Sequence, residues 1–401
     1  YLIKSRNIDI VMQSSSYFGF YAIPWLKSEF PEVVFTDYLH SVNWGWRNGE
    51  YPRDSVAIDG FLDKTYTCTK ILRKIMKEDL GRTIDNVETV YIGVDEKEFD
   101  SEKVDIKSNK DLANQLEKIK GKKAILFLCR ISEEKRPIFI LKVLKKMLEK
   151  DPNIILMVVG DGPVLAEMKK TAQKDGITDN VIFFGMQSNV KPFYKVADVS
   201  VICSLVEGLT ITTYESLSMG TPVVTADVGG QKELVDDTCG RVVRNIQTAK
   251  NGMYNRNYSS EEIERYANAL EEVLKDSKIK DNCREKILNG FTVNNMVKTF
   301  EKEFENFAKN GTSINPLCVS NKDLYKQYIV LYNQVDRRNY FPQEGGNDFE
   351  MASVRNYKIS MIKGKLWKNP IYRGFIKFLQ AIGVTKLIKN TGIKEKIRKI
   401  I

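Results

Sequence analysis

The sequence predicts an α/β protein made of two parallel-sheet units, the first shorter than the second. Three observations lead there. Strand-length apolar runs recur from residue 124 onward, helical stretches separate them, and a shorter series with the same alternation occupies residues 1–100. Continuous apolar strands divided by helices indicate parallel sheets covered on both faces.

In the second unit the strand candidates are 124–128, 154–159, 181–184, 199–202, 223–226 and 241–243. The helices between them are 137–150, 163–174, 190–196, 214–219 and 231–235. A sheet of this kind binds ligands at the carboxyl ends of its strands, near a topological switch point. The loops after Leu128, Val159, Phe184 and Ile202 therefore share one edge, and they carry most of the unusual chemistry. In the first unit the candidates are 8–12, 33–36, 64–67 and 87–91. The expected organisation is a first unit over 1–103, a polar linker over 104–122 and a second unit over 123–290. An amphipathic helix comes next over 291–310, where Val293, Met296, Val297, Phe300, Phe304 and Phe307 recur at helical spacing, and a basic tail covers 311–401.

Composition narrows the function classes. The 401 residues are 42% hydrophobic and 28% charged, ordinary for a globular protein. No run approaches the roughly 18 apolar residues that a membrane span requires. The chain opens Tyr1-Leu2-Ile3-Lys4, without a signal-peptide pattern or an initiator Met, so a cut start is the expectation. Six widely spaced cysteines exclude the close pairs of zinc and redox motifs and suit a reducing cytoplasm. His40 is the single histidine, so a His-rich metal site is excluded. The net charge is +10, but residues 357–401 hold 12 Lys or Arg against one acid, which leaves the body near neutral. A nucleic-acid partner is not expected, because such proteins carry basic surface around the cleft.

The clearest constellation runs from Glu207-Gly208-Leu209-Thr210-Ile211-Thr212-Thr213-Tyr214-Glu215 through Gly220 to Gly229-Gly230. Gly208 permits close approach of backbone to a ligand, and the Thr-rich stretch can open a helix whose free N–H groups face a bound anion. Glu215 would sit about two turns into that helix. The two carboxylates could accept hydrogen bonds from sugar and ribose hydroxyls. Read alone, they are equally a solvated loop acid and a helix-surface acid. Arg130 and Lys135 stand after the first strand of the second unit and can converge on a diphosphate, or simply pair with Glu133 and Glu134. Cations placed there would stabilise a departing diphosphate without a metal. Val159-Gly160-Asp161-Gly162-Pro163 is a glycine turn from strand to helix, unspecific alone.

Together and in this order, these stretches, with Val181-Ile182-Phe183-Phe184-Gly185 and Ala197-Asp198-Val199, resemble the family 4 retaining glycosyltransferases of the GT-B fold. The resemblance covers roughly residues 1–309. It implies two Rossmann-like domains facing a cleft, with the N-terminal acceptor domain truncated. It implies that Arg130 and Lys135 bind the diphosphate, Glu215 the ribose and Glu207 the transferred sugar. Gly208, Leu209, Thr210 and Thr212 would line sugar and phosphate, while Gly160, Gly185 and Met186 would edge the nucleotide. Val33-Val34-Phe35-Thr36-Asp37-Tyr38-Leu39-His40 resembles the strand that ends in the family's histidine, so His40 is expected to hydrogen-bond the donor sugar. Trp44, Trp46, Arg47 and Tyr51 come soon after, as a candidate aromatic platform for an acceptor.

The function implied is retaining transfer of a hexosyl group from a nucleotide diphosphate sugar to a glycan or lipid-linked acceptor of a bacterial surface polysaccharide. No cofactor or metal is expected, and the leaving diphosphate itself helps to accept the acceptor's proton. The location expected is cytoplasmic, with the basic segment 357–401 suited to an anionic membrane surface. Two other readings stand beside it: a nucleotide-sugar epimerase of the same fold, and a non-catalytic nucleotide-sugar-binding segment of a larger protein.

Overall fold

A computed structural model describes residues 1–41, 50–82 and 86–314. Trp44, Trp46, Arg47, Cys318 and the basic segment 357–401 lie outside the described residues.

The first sheet contains β1 (Ile10–Ser14), β2 (Val34–Leu39), β3 (Lys64–Thr67) and β4 (Val87–Thr89), all parallel and in chain order. The second contains β5 (Lys123–Leu128), β6 (Ile154–Val159), β7 (Val181–Gly185), β8 (Val199–Ile202), β9 (Val223–Ala226) and β10 (Gly240–Val243). Its order is β10-β9-β8-β5-β6-β7, again parallel. The chain therefore builds outward from β5 in one direction, then returns to β5's other side with β8. The crevice between the carboxyl ends of β5 and β8 is the switch point.

The apolar runs of β5 and β6 follow from burial on both faces. Ile125, Phe127, Leu156 and Val158 pack with Phe139, Leu144 and Leu270 of the helices Pro137–Leu148 and Ser260–Lys275. Ala124, Leu126, Ile155 and Met157 face the opposite way, against Phe193 and Tyr194. Each fully buried Leu or Ile contributes roughly 1.5–3 kcal/mol of transfer free energy, which favours this two-faced arrangement. Part of the stretch expected as linker joins that second face. Leu112 and Ile119, on the short helices Lys110–Ala113 and Leu116–Ile119, are buried against the same cluster.

The amphipathic helix is Val293–Asn310, opened by a capping box between Thr292 and Asn295. It belongs to the first sheet's core, although it comes after the second in sequence. Phe300 packs edge-on against Tyr38 and Tyr66, with centroids 5.5 and 5.1 Å away, and Glu303 pairs with Lys64 at 2.5 Å. Where the chain crosses back, Val94 N donates to Phe291 O (3.1 Å) and Val293 N to Val94 O (3.0 Å).

Candidate active site

Two loops leave the switch point and are tied together. After β5 the chain forms the 3-10 turn Glu133–Lys135, and after β8 Leu205 N donates to Glu134 O at 2.8 Å. This places Lys135 against Glu207, and their side chains form a half-buried ion pair. The sequence leaves open whether Lys135 pairs with its neighbours Glu133 and Glu134; instead its partner lies in the other loop. Arg130 behaves differently. It is 71% exposed and pairs with Glu134 Oε1 at 2.7 Å. Burial disfavours the charged form of Glu134, but hydrogen bonds from Ser132 and Arg130 outweigh it and hold the carboxyl below its usual range.

The turn carrying Lys135 is fastened by residues that sequence reasoning did not single out. Arg136 adopts a left-handed backbone (φ 56°) and sends its guanidinium into the core, 3.7 Å from the centre of the Phe139 ring. There it pairs with buried Glu262 at 3.0 Å. Arg256 grips Glu133 at 2.7 and 2.8 Å. An arginine at positive φ is an uncommon signal that becomes visible only once the backbone is known.

Gly208 has a steric reason to be glycine: a Cβ there would stand 1.8 Å from the His40 carbonyl oxygen. Gly160, at φ 133°, would place one 1.9 Å from Cys129 O, so it lets the loops after β5 and β6 pack together. Leu209 is buried in the core, and Thr210 precedes the helix Ile211–Ser218. The Thr210 hydroxyl lies 2.5 Å from that of Thr213 and accepts from Gln231 Nε2 at 3.0 Å, without capping the helix. Thr212 is half-buried in the first turn. Because the helix begins at Ile211, Glu215 sits about one turn in, not two: the threonine-rich run is already helical. Its Oε2 accepts from Tyr194 OH at 2.7 Å, and burial raises its pKa above the usual carboxylate value. Tyr194 escapes sequence reasoning because its position in an apolar stretch reads as core.

The remaining candidates occupy the rim. Gly185 (φ 68°) accepts from Gly160 N at 2.7 Å, and Met186 beside it is 82% exposed. His40 comes directly after β2 on the first sheet. Its Nε2 lies 2.7 Å from Ser14 Oγ, its carbonyl accepts from the Cys68 thiol at 2.9 Å, and its ring lies 4.4 Å from that of Tyr38. Burial lowers its pKa, which favours a neutral ring. Tyr51 packs against Tyr17, with ring centroids 4.6 Å apart. Among the described residues, no group of three or more His, Cys, Asp or Glu stands together as a metal site. The arrangement brings Lys135, Glu207, Gly208 and His40 to one edge, with Glu215 one helical turn behind them.

Comparison with known proteins bears on the family and the fold. Residues 108–289 match the family described as glycosyl transferases group 1. An uncharacterized glycosyltransferase of Methanocaldococcus jannaschii is 29% identical over 217 residues, covering 51% of this chain and 54% of that protein. The alpha-monoglucosyldiacylglycerol synthase of Streptococcus pneumoniae is 29% identical over 239 residues, covering 56% and 53%. The chain thus spans about half the length of these curated relatives. Anabaena HepE, solved in complex with UDP, superposes with a TM-score of 0.63 at 16% identity, covering 76% of this chain and 80% of HepE. Residues 108–289 thus match the glycosyl transferases group 1 model, and the two parallel-sheet units of the chain form a GT-B fold.

Proposed function

We propose that this chain is a retaining glycosyltransferase moving a hexosyl group from a nucleotide diphosphate sugar to a glycan or lipid-linked acceptor in bacterial surface polysaccharide synthesis. The observation that carries the reading is the Lys135–Glu207 pair at the switch point, bounded by the Gly208 backbone and the N-terminal turn of Ile211–Ser218. Lys135 and Arg130 neutralise charge that develops on the diphosphate as the anomeric C–O bond breaks. Glu207 orients the sugar, Glu215 accepts from the ribose, and His40 donates to a sugar hydroxyl across the cleft. The acceptor oxygen bonds to the anomeric carbon on the face the diphosphate leaves, and its proton passes to that diphosphate.

The UDP complex of HepE makes a uridine nucleotide the first donor to test, and the lipid product named for the pneumococcal relative supports a lipid-linked acceptor. Attachment to anionic membrane through 357–401 belongs to the same proposal; no helix among the described residues is long and apolar enough to cross a membrane. The test is calorimetric titration with UDP, then UDP release from UDP-sugars with and without a lipid-linked acceptor. Acceptor-dependent release is expected. A product formed without acceptor would indicate an epimerase, and nucleotide binding without any turnover would indicate a non-catalytic segment.

A further inference from the structure

We propose that Ser14 is a positioning residue for His40: its hydroxyl donates to Nε2, sets the ring's tautomer and leaves Nδ1–H as the group offered to the donor sugar. The inference rests on the proposed role of His40 as a donor-sugar contact.

Ser14 ends β1 and pairs in register with Tyr38 of β2, two residues before His40. Both side chains therefore reach the same edge of the first sheet, where Ser14 Oγ and His40 Nε2 stand 2.7 Å apart. The next two residues keep Ser14 there. Ser15 adopts φ 47°, a left-handed conformation uncommon outside glycine, and turns the chain sharply from strand to helix. Ser16 then caps the helix Tyr17–Glu29 by accepting from Gly19 N at 3.3 Å.

His40 is fixed by contacts that avoid Nδ1. The Cys68 thiol takes its carbonyl, the Gly208 backbone packs against that same carbonyl, and Tyr38 flanks the ring. Among the described residues, the only acceptor beside the Ser14 hydroxyl is Nε2. With the serine as donor in this contact, a neutral ring carries its own proton on Nδ1. An imidazole presented in one tautomer donates a hydrogen bond without first reorganising, which is how a neighbour that never touches substrate raises turnover.

The chain has a single histidine, so nitrogen spectra of the histidine-labelled full chain report one ring. At pH 8 the unaltered protein is expected to show protonation at Nδ1. Ser14→Ala should move the ring toward the Nε2–H form, and Ser14→Thr should restore Nδ1–H. An Nε2–H ring in the unaltered protein, or a spectrum unchanged by Ser14→Ala, overturns the proposal.

Turnover supplies the second arm. Ser14→Ala should lower kcat roughly tenfold with donor KM little changed, the scale of one hydrogen bond. In a His40→Ala background it should have no further effect. A loss that persists undiminished in that background overturns the positioning role. Spectra that meet the expectation in a chain without transfer activity support the Ser14–His40 geometry and overturn only the functional reading.

Discussion

The two sheets of this molecule treat buried polarity in opposite ways. In the second, β5 and β6 bury aliphatic side chains on both faces, and the buried charges Arg136 and Glu262 are paired at 3.0 Å. In the first, a polar row crosses the interior: Gln13 on β1, Asp37 on β2 and Thr65 on β3 are cross-strand partners. Asp37 is fully buried, with Ser55, Gln13 and Arg82 nearby, yet among the described residues its carboxylate finds no hydrogen-bond partner of good geometry. Burial pushes its pKa up to about 7 against those neighbours. The second sheet is thus an apolar platform with that charge pair joined, beneath the proposed diphosphate site. The first gives up stability to polar groups that its fold does not fully satisfy.

Four measurements would break or sharpen that contrast. The largest effect belongs to the buried pair: Arg136→Ala should cost about 3–5 kcal/mol in denaturant unfolding, because buried Glu262 loses its cationic partner and keeps only the backbone N–H donors of Ile246 and Gln247. A loss below about 1 kcal/mol would mean that the pair contributes little to the stability of the platform.

Next comes turnover. Lys135→Ala or Glu207→Ala should each lower kcat at least about a hundredfold, the scale for losing one preorganised electrostatic group. Full activity in both would remove the second sheet from the chemistry.

The third measurement addresses the first sheet. Because Asp37's folded-state pKa lies above its ordinary value of 3.8, the folded chain holds the proton more tightly than the unfolded chain. Stability should then fall as pH rises from about 4 through about 7. Asp37→Asn should flatten that decline and raise Tm at pH 8 by about 5 °C. A flat profile in the unaltered protein would contradict the burial argument.

The smallest effect is Tyr194→Phe, which removes the hydrogen bond to Glu215 and should weaken UDP binding about threefold to tenfold by calorimetry. Unchanged affinity would show that Tyr194 does not tune the ribose contact.

How much of this was legible in the sequence obeys the same division. β5 and β6 stand out because burial on both faces leaves nearly continuous apolar runs that no helix or loop of that length needs, and β8 and β9 follow with one buried Ser200 or Thr225 each. β1 was less legible. The apolar pattern points to 8–12, but the strand is Ile10–Ser14, since this half-exposed sheet edge carries Gln13 and Ser14 where an apolar rule expects a strand to stop. The helix Ile211–Ser218 begins three residues before the expected start, because tertiary contacts override the weak helical preference of its threonines.

In the site, Glu207, Gly208, Glu215 and Lys135 could be picked out by their spacing and by the resemblance. Their partners could not. Tyr194, Arg136, Glu262 and Ser14 lie 21 residues or more from the groups they serve, or hide in apolar or serine-rich stretches, and only the folded chain brings them together.

The return of Val293–Asn310 to the first sheet has a consequence for how the molecule is made. The contact between Tyr38 and Phe300 joins positions that a ribosome produces far apart in time. The second sheet and its helices are continuous in sequence, so they can fold while the chain is still growing. The first sheet must wait with its aromatic core uncovered until its last helix has emerged. Of the two halves, the one synthesised first is the one finished last.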